Sequence, residues 1–216
     1  MTHIFRIVFP GLVALLAAGC IHLEQRVEIN ANGSAVVSFD YSVAEETFGT
    51  VVAGRLAIQE WGGKGPQGLD WFASERAVNE YFADDLFEVQ FYRTSRKGGR
   101  RHVRLILLVK DLQKGLATGK LGDLRLEKTA AGDWWLHGAD APKRKERKLS
   151  EDELDKMRAL CDDLWLKLVV ETPTPIVRTT AKDKDEHEAS WLFDPGQDDA
   201  FLRKRPQIEV VYEGGK

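Results

Sequence analysis

The two most reactive side chains in this sequence are the thiols of Cys20 and Cys161, and their surroundings differ. Cys20 closes the stretch Leu16-Ala17-Ala18-Gly19-Cys20. Small residues before a cysteine let a chain enter a signal peptidase in extended form. A cysteine at the cut then supplies the thiol that takes a diacylglyceryl group. Gly19 and Cys20 are therefore the expected cleavage junction, and Cys20 the expected lipidated residue. Cys161 is followed by Asp162 and Asp163, and neighbouring carboxylates disfavour a thiolate. With Cys20 committed, no second cysteine is left for an internal disulfide. Cys161 is expected to act as a small buried apolar residue.

Other reactive groups are scattered. His22, His102, His137 and His187 show no ligand-spaced pair. Asp183, Asp185, Glu186, His187 and Glu188 offer oxygens that a divalent cation could take. They lack the glycine turn of a calcium loop and alternate with Lys182 and Lys184, so a solvated turn is expected. No Gly-x-Ser-x-Gly elbow, phosphate loop, dinucleotide fingerprint or His-Glu-x-x-His occurs. The sequence reading is of a non-enzyme, with no catalytic residue, no metal and no cofactor.

The elements that would present Cys20 come next. Arg6 precedes an apolar run, Ile7 to Ala18, broken only by Pro10 and Gly11. A bilayer span takes about 20 apolar residues, so this run has the length of a secretory apolar core instead. His22, Glu24 and Arg26 follow at once, against a membrane span. A charged start, an apolar run, small residues and a cysteine, in that order, resemble the lipobox of bacterial lipoproteins. Ala17 stands where that family usually has Leu. The resemblance implies a signal peptide at residues 1–19 and a mature chain, 20–216, held at the cell envelope by its N-terminal lipid. Each buried methylene contributes about 0.8 kcal/mol, so two or three acyl chains hold firmly. Position 21 is Ile and not Asp. In a Gram-negative host the resemblance then implies the outer membrane.

A formal net charge of −3 excludes a strongly basic nucleic-acid binder. The length suits one large domain or two smaller ones; the reading is one α+β domain over 20–216, with 141–149 as the place where two sub-regions would divide. Leu23, Val27 and Ile29 alternate with charged residues as a strand that begins almost on the anchor. Asn30-Ala31-Asn32-Gly33 is a hairpin turn, and Ala35, Val37, Phe39 and Tyr41 return. Ser42-Val43-Ala44-Glu45 reads as a capping box, with a helix following through Phe48, Val51, Val52 and Leu56. A second helix is expected over 74–82. Phe87, Val89 and Phe91, then Gly98-Gly99, then Val103, Leu105, Leu107 and Val109 form the clearest hairpin. A helical turn at 111–116 precedes a hairpin around Ala131-Gly132. Ser150 and Glu153 open another helix, and strands follow at 164–170, 176–177, 189–193 and 208–212.

Cys20 leading into a strand, Asn32-Gly33-Ser34-Ala35 at the first turn, Val170-Glu171-Thr172-Pro173-Thr174-Pro175-Ile176-Val177, and Ala189-Ser190-Trp191-Leu192-Phe193 together resemble the LppM-type bacterial lipoproteins. Asn replaces the usual Asp of the turn, and Ala the last Gly. The family's C-terminal membrane segment has no counterpart in this sequence, so the resemblance covers the ectodomain. It implies an α+β domain and carries over no catalytic residue.

The expected fold is therefore α+β, mainly antiparallel sheet with hairpins and about three packing helices. Two basic groups, Arg96, Lys97, Arg100 and Arg101 at a hairpin tip and Lys143, Arg144 and Lys145 in a charged loop, read either as solvated charge or as contacts to anionic headgroups or a partner. Adjacent Trp134 and Trp135 cannot face the same side of a strand, so one belongs to the less buried face and can mark a partner surface. The functional expectation is a lipid-anchored envelope lipoprotein that binds a lipid, a glycan or an envelope protein. The alternatives are a structural accessory subunit without a small ligand and, third, an envelope hydrolase.

Overall fold

The computed structural model describes residues 21–45, 74–138, 149–160, 164–194, 198, 200–203 and 207–214. Gly19, Cys20, the helix expected through Leu56, Cys161 and the basic loop with Lys143, Arg144 and Lys145 lie outside them. The fold is α+β. Eleven strands are described, in chain order β1 (Ile21–Ile29), β2 (Ala35–Ala44), β3 (Phe87–Lys97), β4 (Arg100–Val109), β5 (Leu124–Lys128), β6 (Trp134–Gly138), β7 (Trp165–Glu171), β8 (Ile176–Thr179), β9 (Asp183–Lys184), β10 (Glu188–Phe193) and β11 (Glu209–Tyr212). Three helices, α1 (Glu75–Tyr81), α2 (Leu112–Ala117) and α3 (Glu151–Leu160), and a single turn, α4 (Ala200–Arg203), complete the described elements.

A seven-stranded sheet has the order β3-β4-β2-β1-β7-β10-β9, and a four-stranded sheet the order β5-β6-β11-β8. All pairings are antiparallel except β1 with β7. Alternation along each strand sends one set of side chains inward. Val27, Val37, Leu105, Leu107, Val109 and Val170 from the larger sheet are fully buried in one cluster with Leu136 and Val210 of the smaller sheet. Val78 and Phe82 from the α1 region, and Leu112 and Leu116 of α2, join that cluster. A second, small cluster of Leu154, Leu164 and Leu202 holds α3 and α4 beside the start of β7.

Local signals explain the boundaries. Gly33, at φ 84°, supplies the positive φ of the first turn. Ser74 and Asp111 cap α1 and α2 by accepting from the amides of Ala77 and Lys114. The capping box of α3 closes in both directions. Glu153 Oε2 accepts from the Ser150 amide at 2.9 Å, and the Glu153 amide donates to Ser150 Oγ at 3.4 Å.

The other expected capping box, at Ser42, is corrected. β2 runs on through Ala44, with Ser42 paired to His22 on one side and His102 on the other. Two flanking strands satisfy the backbone through Ala44, so Ser42 does not cap the helix that the sequence predicts; helical structure begins at Glu45, whose amide donates to the Gly99 carbonyl at 3.0 Å. Glu45 is drawn instead into ion pairs with Arg96 and Arg101.

Candidate functional site

The outward face of the larger sheet carries the most concentrated polar chemistry among the described residues. Strand register sets two rows across it. His22 of β1, Ser42 of β2, His102 of β4 and Ser95 of β3 form the first row. Glu24, Asp40, Arg104 and Arg93 form the second, two residues further along each strand. Residues opposite one another across strands share a face. His22, Asp40, Ser42, Arg93, Ser95, His102 and Arg104, with Tyr41 and Val103, line an open groove of about 230 Å³.

Its groups are chiefly hydrogen-bond donors. Arg100 Nε donates to Ser42 Oγ at 3.0 Å, and Arg100 Nη2 to the Ser42 carbonyl at 3.3 Å. Arg104 Nε stands 3.8 Å from Asp40 Oδ1, a long and exposed ion pair. The His22 ring meets Trp165 edge-on, with centroids 6.2 Å apart. Burial pushes the Tyr41 hydroxyl far above its ordinary value, so it stays neutral. A serine nucleophile needs a neighbouring base. Ser42 Oγ accepts from the Arg100 guanidinium, which takes no proton, while His22 and His102 stand opposite Ser42 on the flanking strands.

The β3–β4 hairpin borders the groove. The two-residue turn Gly98-Gly99 sets Lys97 opposite Arg100, Arg96 opposite Arg101 and Arg93 opposite Arg104. Like charges directly opposite are destabilising, and the fold treats the three pairs differently. Glu45 bridges Arg96 and Arg101 at 3.0 and 2.8 Å. The hydrogen bond from Arg101 holds the Glu45 carboxyl below the usual carboxylate range. Arg100 is seated on Ser42. Arg93, Lys97 and Arg104 stay exposed.

The other half of this face is acidic. Glu28, Glu171 and Glu188 stand side by side on β1, β7 and β10, with Arg26 reaching Glu188 at 2.9 Å and Glu171 at 3.3 Å. The sheet thus presents a basic corner at β3–β4 and an acidic one at β1–β7–β10.

The remaining sequence-derived residues lie elsewhere. Trp134 packs on the main core, and Lys128 Nζ sits 4.9 Å from its ring centroid. Trp135 points to the opposite face and stacks on His137, with centroids 3.9 Å apart. Both tryptophans are half-buried. The acidic cluster at 183–188 lies on the β9–β10 hairpin, whose turn is closed by Asp185 Oδ1, which accepts from the amides of His187 and Glu188. No group of three metal-ligating side chains occurs among the described residues, and no helix among them is long and apolar enough to cross a membrane.

Sequence reasoning did not join His22 to His102, because they meet only through β2 and lie 80 positions apart. Arg93 opposite Arg104 had a readable signal. Once Gly98-Gly99 is taken as a two-residue turn, counting outward from it gives the pair.

No protein-family model and no curated protein matches the chain. Among solved structures, the chain is similar to the NMR structure of the folded domain of LppM from Mycobacterium tuberculosis, with a TM-score of 0.49, 10% sequence identity and 92% of each chain covered.

Proposed function

We propose that this chain is a lipid-anchored lipoprotein of the bacterial cell envelope, acylated at Cys20, whose α+β domain binds an envelope lipid, glycan or protein partner without catalysing a reaction. The observation that carries this reading is the start of β1 at Ile21, one residue past Cys20. One residue reaches only about 3.5 Å. An acylated Cys20 therefore holds the end of the larger sheet against the headgroups. The signal-like run before Cys20 and the small residues at its junction support the same reading. With Ile21 in place of Asp, the outer membrane is the expected address in a Gram-negative host.

The test is intact-mass analysis of protein purified from its host's membranes, wild type beside Cys20→Ala. A mass beginning at residue 20 plus acyl groups, lost in the variant together with membrane retention, is the expected result. A wild type that is soluble and carries no acyl addition overturns the reading.

A further inference from the structure

We propose that the groove between His22, Ser42, Ser95, His102, Arg93 and Arg104 binds the phosphate of an anionic membrane lipid, with Arg93 and Arg104 as the gripping pair and Lys97 at its rim. The proposal rests on the lipid-anchored reading for the nearness of the bilayer, and on the geometry of the hairpin for the site itself.

Strand direction puts the groove at the membrane end. β1 leaves the anchor at Ile21, β2 and β3 end there at Ala44 and Lys97, and β4 begins there at Arg100. His22, on the groove wall, is two residues from Cys20, about 7 Å of chain. β4 lies two strand positions from β1, about 10 Å away. A headgroup beside the protein's own acyl chains is thus within reach of the groove.

The chemistry fits a phosphate. Arg93 and Arg104 stand directly opposite each other on one face, and planar guanidinium groups grip phosphate oxygens in bidentate fashion. The hydroxyl of Ser95 and the rings of His22 and His102 add donors in the adjoining row, and Ser42, buried against Arg100, forms its floor. Asp40, the carboxylate in the groove, holds Arg104 only at 3.8 Å and with both side chains more than half exposed. A phosphate can replace so weak a contact.

Protection of the sheet edge does not account for this ladder. Charge on an edge strand prevents edge-to-edge pairing, and β3 is such an edge. β4 is an interior strand, yet on the groove face it places Arg104 directly opposite Arg93, whereas Arg101 and Arg100 are already held by Glu45 and Ser42. The repulsion between Arg93 and Arg104 is relieved by an anion that bridges them.

The experiment uses the mature chain, residues 20–216, with Cys20→Ala, so that the anchor contributes nothing. Flotation is measured with vesicles of phosphatidylcholine alone and of phosphatidylcholine with phosphatidylglycerol. The protein is expected to float with the anionic vesicles only. Each basic residue at such a surface is worth roughly a fivefold change in partition. Arg93→Gln, Lys97→Gln and Arg104→Gln together should therefore weaken flotation roughly a hundredfold. The same number of neutralisations at exposed Lys110, Lys128 and Lys182 should cost far less. Lysine at both Arg93 and Arg104 keeps the charge and loses the bidentate fork, so it should weaken binding severalfold. These side chains are exposed, and an unchanged thermal melt shows that the variants fold.

Equal flotation with both vesicles, or equal losses in the two triple variants, overturns the proposal. So does saturation of the groove by inorganic phosphate, read from arginine side-chain resonances, in a protein that ignores vesicles. Acylation by mass is a separate readout. An acylated wild type whose unlipidated form never floats removes this site and leaves the anchor. A non-acylated wild type whose domain still floats does the reverse.

Discussion

Arg101 donates through Nη2 to Glu45 at 2.8 Å, tying the start of β4 to the residue that follows β2. The Arg101 side chain is largely buried, at 14% exposure, so this contact fixes the base of the basic hairpin while Arg93, Arg96, Lys97 and Arg104 face solvent. The hydrogen bond from Arg101, reinforced by the charges of Arg101 and Arg96, lowers the Glu45 pKa against an opposing push from desolvation. A carboxylate whose pKa is lowered on folding stabilises the native state above its ordinary value, and the contribution disappears as pH falls through the lowered one. Glu45→Gln is therefore expected to lower the melting temperature at neutral pH. The gap between variant and wild type should close as both are acidified below the carboxylate range. A gap independent of pH would assign the effect to packing instead.

Gly115 is the tightest packing point in α2. A Cβ there would lie 2.6 Å from Val109 Cγ1 and 3.5 Å from the Phe87 ring. Val109 is fully buried, so its side chain has little room to yield. Alanine would gain about 1 kcal/mol in helix propensity, and overpacking of this kind costs about 1–3 kcal/mol. Gly115→Ala is expected to be destabilising on balance, as read by urea unfolding. A more stable variant would mean that β4 and α2 shift apart freely.

Much of the larger sheet was legible because its signals are local. Asn32-Gly33 and Gly98-Gly99 mark the turns, and alternation at Val27, Val37, Leu105 and Leu107 names the inner face. Three helix starts were legible through Ser74, Asp111 and Ser150. What escaped depends on pairings between distant segments. The parallel contact of β1 with β7 joins residues more than 140 positions apart, and no local pattern announces it. The same limit hid the His22–Ser42–His102 row and made Ser42 look like a helix cap. Local sequence at 42–45 fits a capping box, and sheet pairing on both sides overrides it.

Thr172 illustrates a buried polar residue whose hydroxyl spans two segments. Only 4% exposed, it lies 2.8 Å from the Thr174 carbonyl and 3.2 Å from that of His187. Thr172→Val keeps the shape and removes the hydroxyl from the Thr174 carbonyl, while the His187 carbonyl keeps the Thr172 amide. A loss of about 1 kcal/mol is expected from the one unmet acceptor. Amide exchange at the Thr172 amide, which donates to His187 at 2.8 Å, should quicken with it. Unchanged exchange and stability would show that the junction of β7 with β10 does not depend on the hydroxyl.

Arg26 carries more than an ordinary surface ion pair would. Such pairs contribute about 0–1 kcal/mol. Here Glu28, Glu171 and Glu188 stand in one cross-strand row, each directly opposite the next, and Arg26 reaches the last two. Removing the cation leaves carboxylates facing one another on three adjacent strands, each like pair costing about 0.2–1 kcal/mol. Arg26→Gln should therefore lose about 1–2 kcal/mol at low ionic strength, by the sum of lost attraction and exposed repulsion. Because the row is half-exposed, added salt screens the repulsion, and Glu171→Gln placed on the Arg26→Gln background should restore part of the loss. A variant equally destabilised at low and high salt, and not rescued by the second change, would show that Arg26 acts by packing its stem across β7 and not by its charge.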